Sequence, residues 1–197
     1  MAKIIKGIIN GYLKITKDIV HKMKYEGLEN ISENETYVVV ANHVNWADPI
    51  YIKALIPNIA VMAKAELFKL PIVKTVIKEA GAFPVDRGAK DIKSVLHATH
   101  VLKEGKNLLI FPEGTRNAKK KNVKAKKGAV TIAITAGVKL LPIYLDEKRG
   151  LFRKITVKIG EPIEFEKNKD ILKDREKLNE YTEIVMDKIY NMRDKND

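Results

Sequence analysis

Apolar residues recur along this chain with two alternating periods. Near the start, Ile4, Ile8, Tyr12, Ile15, Ile19 and Met23 follow steps of three and four. Ile5, Ile9, Leu13 and Val20 widen that stripe, and Lys3, Lys6, Lys14, Lys17, Lys22 and Lys24 flank it. This spacing predicts a cationic amphipathic helix over residues 1–26, loosened at Gly7 and Gly11, with His21 on one of its faces. Two readings of the stripe stand side by side. It packs on the rest of the protein, or it lies in a membrane interface, where each Lys near anionic lipid contributes about 1 kcal/mol.

From residue 27 to 197 the pattern changes to short apolar runs separated by helical stretches. Tyr37-Val38-Val39-Val40-Ala41 reads as a strand buried on both faces. Asp48-Pro49 opens a helix, with Asp as N-cap and Pro in the first turn. Strands follow at 58–63, 83–85, 108–111, 140–145 and 155–159. Helices are expected from Pro71 towards Gly81, over 90–104, over 129–136, and in the charged tail from Asp170. In the helix over 90–104, Ile92, Val95, Leu96, Thr99 and Leu102 share a face. The tail carries Leu178, Tyr181, Val185, Ile189 and Met192 as its stripe. Alternating strands and helices predict a single α/β domain with a mainly parallel central sheet flanked by helices and preceded by the amphipathic helix. Functional residues then belong on loops leaving the C-terminal ends of the strands.

Charge adds a constraint that pattern alone does not give. The 197 residues carry 37 Lys plus Arg against 25 Asp plus Glu, a net charge of +12. That excess needs a polyanionic partner: nucleic acid, an anionic membrane or a phosphorylated substrate. Nucleic acid fits poorly. Aromatic residues are only 7% of the chain, and none interleaves the run from Lys119 to Lys127 to stack on bases. No apolar stretch approaches the roughly 18 residues of a membrane-spanning helix, and Lys residues interrupt any signal-peptide core.

Three strand-end loops carry unusual chemistry. The first is Asn42-His43-Val44-Asn45-Trp46-Ala47-Asp48, the second Gly81-Ala82-Phe83-Pro84-Val85-Asp86-Arg87, and the third Phe111-Pro112-Glu113-Gly114-Thr115-Arg116. By spacing alone, His43 and Asp48 are either a base with its orienting carboxylate or a loop histidine and a helix cap. Arg87 and Arg116 supply the planar fork that grips phosphate, and Gly114 permits a tight turn. Cys is absent and the only serines, Ser32 and Ser94, adjoin no motif loop. A protein nucleophile is therefore not expected, and a His base would activate a substrate hydroxyl directly. His97 and His100 have no evident third ligand, so no metal site is expected.

The HxxxxD box at His43 and Asp48, followed by Phe111 to Arg116, resembles the glycerolipid acyltransferase family, in its bacterial 1-acylglycerol-3-phosphate type. Gly81 to Arg87 resembles the intervening box that ends in Arg, and Leu141-Pro142-Ile143 the fourth. The likeness covers about residues 28 to 165. Asn45 stands where many relatives have Ser, and Pro84 where an aromatic or aliphatic residue is common. The resemblance implies a glycerol-3-phosphate acyltransferase-like fold. It implies acyl transfer from acyl-CoA or acyl-carrier protein to a lysophospholipid hydroxyl, giving phosphatidic acid. In that scheme His43 is the base, Asp48 orients it, Arg87 and Arg116 hold the acceptor phosphate, and Glu113, Gly114 and Thr115 shape that site. No bound cofactor is implied. The expected location is peripheral, on the cytoplasmic face of the cell membrane. Acylation of glycerol 3-phosphate or of another lysolipid fits the same boxes, and a non-catalytic membrane-surface protein would leave them unexplained.

Overall fold

The computed structural model describes residues 23–70, 74–75, 77–78, 81–85, 92–116, 124–147, 154–166 and 168–193. Seven strands form one sheet: β1 (Met23–Glu26), β2 (Tyr37–Ala41), β3 (Ile59–Lys64), β4 (Ala82–Val85), β5 (Asn107–Ile110), β6 (Lys139–Leu145) and β7 (Ile155–Ile159). Their order across the sheet is β1-β7-β6-β2-β5-β3-β4. All neighbours are parallel except β6 and β7. Strands β1 and β7 therefore run against the other five. Four α-helices have described bounds: α1 (Asp48–Leu55), α2 (Ile92–Lys103), α3 (Gly128–Ala136) and α4 (Arg175–Asn191).

Alternation along the central strand divides the core. Val38 and Val40 point to the face covered by α2, α3 and α4, where Ala98, Leu102, Val130, Ala133, Val185 and Ile189 are buried. Val39 and Ala41 point to the face of α1, with Tyr51, Ile52, Leu109 and Leu141. Strand β2 is buried at every position, which is why it reads as a continuous apolar run. Each such side chain contributes about 1.5–3 kcal/mol when fully buried. Pro142 sits inside β6 without breaking the ladder to β2. Its carbonyl accepts from Gly160 N at 2.9 Å, so its missing N–H faces the end of β7 rather than β2.

The structure departs from the sequence pattern in three places. Most of the expected N-terminal helix, with His21, lies outside the described residues. Its last four positions form β1 instead, because β7 would otherwise present an unpaired parallel edge. Gly27 ends that strand at φ 81°, and a Cβ there would strike the carbonyl of Ile159. In α2 the buried side is Ala98, Thr99, Val101 and Leu102, while Ile92 and Leu96 are exposed. The helix turns its C-terminal half, Ala98 to Leu102, and not that whole stripe, towards β5 and α3. The charged tail begins as a 3-10 turn at Lys169–Lys173, and α4 starts only after Asp174, which accepts from the amides of Glu176 and Lys177. Of residues 71–80, the described positions 74, 75, 77 and 78 are helical, as expected.

Candidate active site

Strands β2 and β5 are neighbours, with Val40 opposite Ile110. The loops that leave their C-terminal ends therefore emerge side by side. Asn42 closes β2. Its amide donates to the Leu145 carbonyl at 2.9 Å and accepts from Leu145 N at 2.7 Å, so it ties the end of β2 to the end of β6. His43 follows at once. Its ring stacks on Phe111, the first residue beyond β5, at 4.0 Å between centroids and 20° between planes.

Asp48 is fully buried, and one of its oxygens organises the loop. Oδ2 lies 3.0 Å from His43 Nδ1 and accepts from the amides of Val44 and Asn45, both at 2.7 Å. Asn45 Oδ1 in turn accepts from Ala47 N at 3.0 Å. Helix α1 starts at Asp48, and its N-cap residue is Ala47, which makes no side-chain cap. The expected capping role of Asp48 is thus corrected. Its carboxylate turns back over the loop because three donors converge there. With Nδ1 donating to that carboxylate, Nε2 is the ring atom positioned to take a proton.

The third loop makes the other wall. Gly114 adopts φ 65°, and its N–H donates to Phe111 O at 3.0 Å, closing a tight turn. Thr115 and Arg116 are exposed on it, whereas Glu113 is buried. Tyr190, in the last turn of α4, donates its hydroxyl to Glu113 Oε1. Burial, then the bond to Glu113, push the Tyr190 phenol well above its ordinary range, so it remains a donor. Lys126 N donates to Pro112 O at 2.8 Å. Its side chain lies over Gly114, where an added Cβ would stand 3.1 Å from Lys126 Cε.

The structure thus brings His43, Asp48, Glu113, Gly114, Thr115 and Arg116 to one edge of the sheet. Arg87 lies outside the described residues. His97 packs edge-on against Phe83 at 4.4 Å, and His100 pairs with Glu104 at 3.0 Å. Three residues escape sequence reasoning. Asn42 carries no chemistry of its own, Lys126 is one of many lysines in its run, and Tyr190 lies 77 positions from the carboxylate it serves. None leaves a periodic signal.

Comparison with known proteins adds independent findings. A family model described as Acyltransferase matches residues 22–146. The 1-acyl-sn-glycerol-3-phosphate acyltransferase of Bacillus subtilis is 33% identical over 192 residues, covering 94% of this chain and 95% of that protein. The like-named protein of Borreliella burgdorferi is 32% identical over 138 residues; the match covers 68% of this chain and 54% of that protein. A crystal structure of the 1-acyl-sn-glycerophosphate (LPA) acyltransferase PlsC from Thermotoga maritima superposes with a TM-score of 0.64 at 27% identity, covering 96% of this chain and 80% of that one.

Proposed function

The chain belongs to the acyltransferase family, and from that premise we propose that it acylates the free hydroxyl of 1-acylglycerol 3-phosphate to give phosphatidic acid. The observation that carries the reading is the 3.0 Å contact of His43 Nδ1 with buried Asp48, beside a ring stacked on Phe111 of the third box. His43 Nε2 removes the acceptor hydroxyl proton as the oxygen attacks the thioester carbon of acyl-CoA or acyl-carrier protein. The new C–O bond forms, the C–S bond breaks, and the thiolate departs. A leaving thiol of pKa about 8.5 needs little acid assistance, so one base suffices. Asp48 fixes the imidazole tautomer and offsets the positive charge it gains.

Arg116 and, by family resemblance, Arg87 grip the acceptor phosphate. Thr115 hydrogen-bonds it, and Gly114 with Glu113 shapes the turn. The reaction needs no metal or bound cofactor. The protein works at an anionic membrane surface on the cytoplasmic side, with the Lys-flanked stripe of its first residues as the sequence feature behind that assignment. No described helix is long and apolar enough to cross a bilayer.

A thiol-release assay crossing both donors with 1-acylglycerol 3-phosphate, glycerol 3-phosphate and neutral lysolipids tests the reading. His43→Ala serves as control and should lower turnover by roughly two or more orders of magnitude while the protein stays folded. Full activity in that variant would remove the base assignment.

A further inference from the structure

At the edge of the sheet opposite His43, a cavity of about 570 Å³ opens. It lies between the residues that precede β2, the last turns of α2 and α3, the start of β6 and the segment after β7. The five residues of β2 separate it from the His43 loop, about 17 Å at the usual rise per residue. Its volume is that of a small-molecule site, and the function proposed above makes no use of it.

Its walls are apolar and fixed. Leu102, Ala133 and Ile134 are buried, and Val138 and Phe165 pack against the same core. Gly137, at φ 70°, ends α3 and donates its N–H to the carbonyls of Ala133 and Ile134, which turns the chain into β6. Leu140 and Ile163 exchange both backbone bonds, at 2.9 and 2.7 Å. Phe165 stacks on Tyr181 with 4.5 Å between centroids. Residues 164–166 are thereby held along the rim.

Charge on the rim selects the ligand. Glu35, Glu164 and Glu166 stand there with Lys103 and Lys139, three carboxylates to two ammonium groups on a chain whose net charge is +12. Lys139 is committed to Glu35 at 2.6 Å. That bond, with Glu164 behind it, raises the Lys139 ammonium above its ordinary range. Lys103 is exposed at the end of α2, where its long stem can turn the ammonium to water. Helices α2 and α3 also end at the cavity, and each C-terminus carries a partial charge of about −0.5. A cation therefore meets carboxylates, helix ends and an aromatic ring at the mouth, and a short apolar body meets the aliphatic wall behind them. We propose that this cavity binds a small organic cation of the alkylammonium class, with the ammonium at Glu164 and Glu166 and the alkyl chain against Leu102, Ile134 and Val138.

The test titrates hexylammonium into the full chain at low salt, by calorimetry and by amide NMR, with hexanol and hexanoate as controls of equal length. Saturable binding is expected, roughly tenfold or more tighter than for either control and weakening as salt rises. The amides of Gly137, Val138 and Phe165 should shift, and those of Val44 and Gly114 should not. Paired Glu164→Gln and Glu166→Gln should weaken hexylammonium by roughly tenfold and leave hexanol unchanged. Ala136→Leu, which narrows the cavity, should weaken both. Thiol release should stay at the parent's level in these variants, which touch neither the His43 loop nor the Glu113 turn.

Absence of saturable binding would overturn the proposal. So would hexanol binding as tightly as hexylammonium, since charge then selects nothing. Tighter binding of hexanoate would hand the mouth to Lys103 and Lys139 and refute the cation. Shifts confined to Val44 and Gly114, with both variants binding like the parent, would place the probe at the acyl-transfer site and refute the cavity. Binding is read without the reaction, so these outcomes stand apart from the function proposed above.

Discussion

Replacing Asp48 by Asn isolates the charge of the carboxylate from its shape. The buried Oδ2 accepts three hydrogen bonds, one from His43 and two from backbone amides. An Asn that places its oxygen at the same point keeps all three acceptor roles, since its NH2 there would face three donors. The loop and the imidazole tautomer should survive. Bonds to a charged group contribute about 1.5–3 kcal/mol and neutral ones about 0.5–1.5, so the two backbone bonds lose roughly 2 kcal/mol together. Removing a buried charge offsets part of that. The effect on catalysis is larger. As His43 takes the substrate proton, a cation forms 3.0 Å from Oδ2. At an effective dielectric near 20 the attraction is about 5 kcal/mol. The amide oxygen retains a hydrogen bond's share, leaving a loss of roughly 3–4 kcal/mol, or two to three decades in kcat. Thiol release should show that drop, with both KM values within about threefold. A urea titration should show a folded protein. A variant within tenfold of the parent in kcat would refute the reasoning and leave Asp48 as a loop anchor only.

Other expectations follow from the second wall and the strand ends. Tyr190→Phe removes one hydrogen bond to the Glu113 carboxylate; a loss of about 1.4 kcal/mol raises the acceptor KM roughly tenfold, with the donor KM unchanged, and steady-state kinetics in both substrates checks it. Gly114→Ala forces a left-handed φ on an L side chain at about 1–2 kcal/mol. Lys126 can swing aside, so the variant should fold, unfold at lower urea, and show a raised acceptor KM as the turn shifts. Asn42→Ala leaves a buried N–H and C=O of Leu145 without their partner, costing about 2–4 kcal/mol. Equilibrium unfolding should report that loss, and activity per folded molecule should hold.

Pattern in the sequence was enough for the sheet centre, because Val38 to Val40 and Leu108 to Ile110 can hardly be anything but strands buried on both faces. It was also enough to bring His43, Asp48 and the Glu113 to Arg116 turn together, since strand-end loops share an edge once the strands are parallel. It was not enough for β1, whose four residues continue a helical period and become a strand only because β7 offers an edge. Nor did it yield the stripe of α2, where Ile92 and Leu96 fit the period but stand in solvent. The roles of Asn42, Lys126 and Tyr190 depend on contacts between distant segments, which local pattern does not encode. Asp48 is a different case: its donors lie only three to five positions upstream, and the N-cap reading followed forward-looking statistics while these converging donors drew the carboxylate back over the loop.

The two walls of the site hang from parts of the molecule with different durability. His43 extends from β2, which is flanked by β5 and β6 and covered on both faces. Amides of such a strand exchange with solvent only through global opening. The Glu113 turn depends instead on the last turn of α4, an outer helix that ends at Asn191. Opening of that turn releases Tyr190 and uncovers Ile189, yet leaves the sheet intact. On gentle warming the base keeps its position while the anchor of the acceptor turn slackens, so affinity for the acceptor fades before chemical competence does.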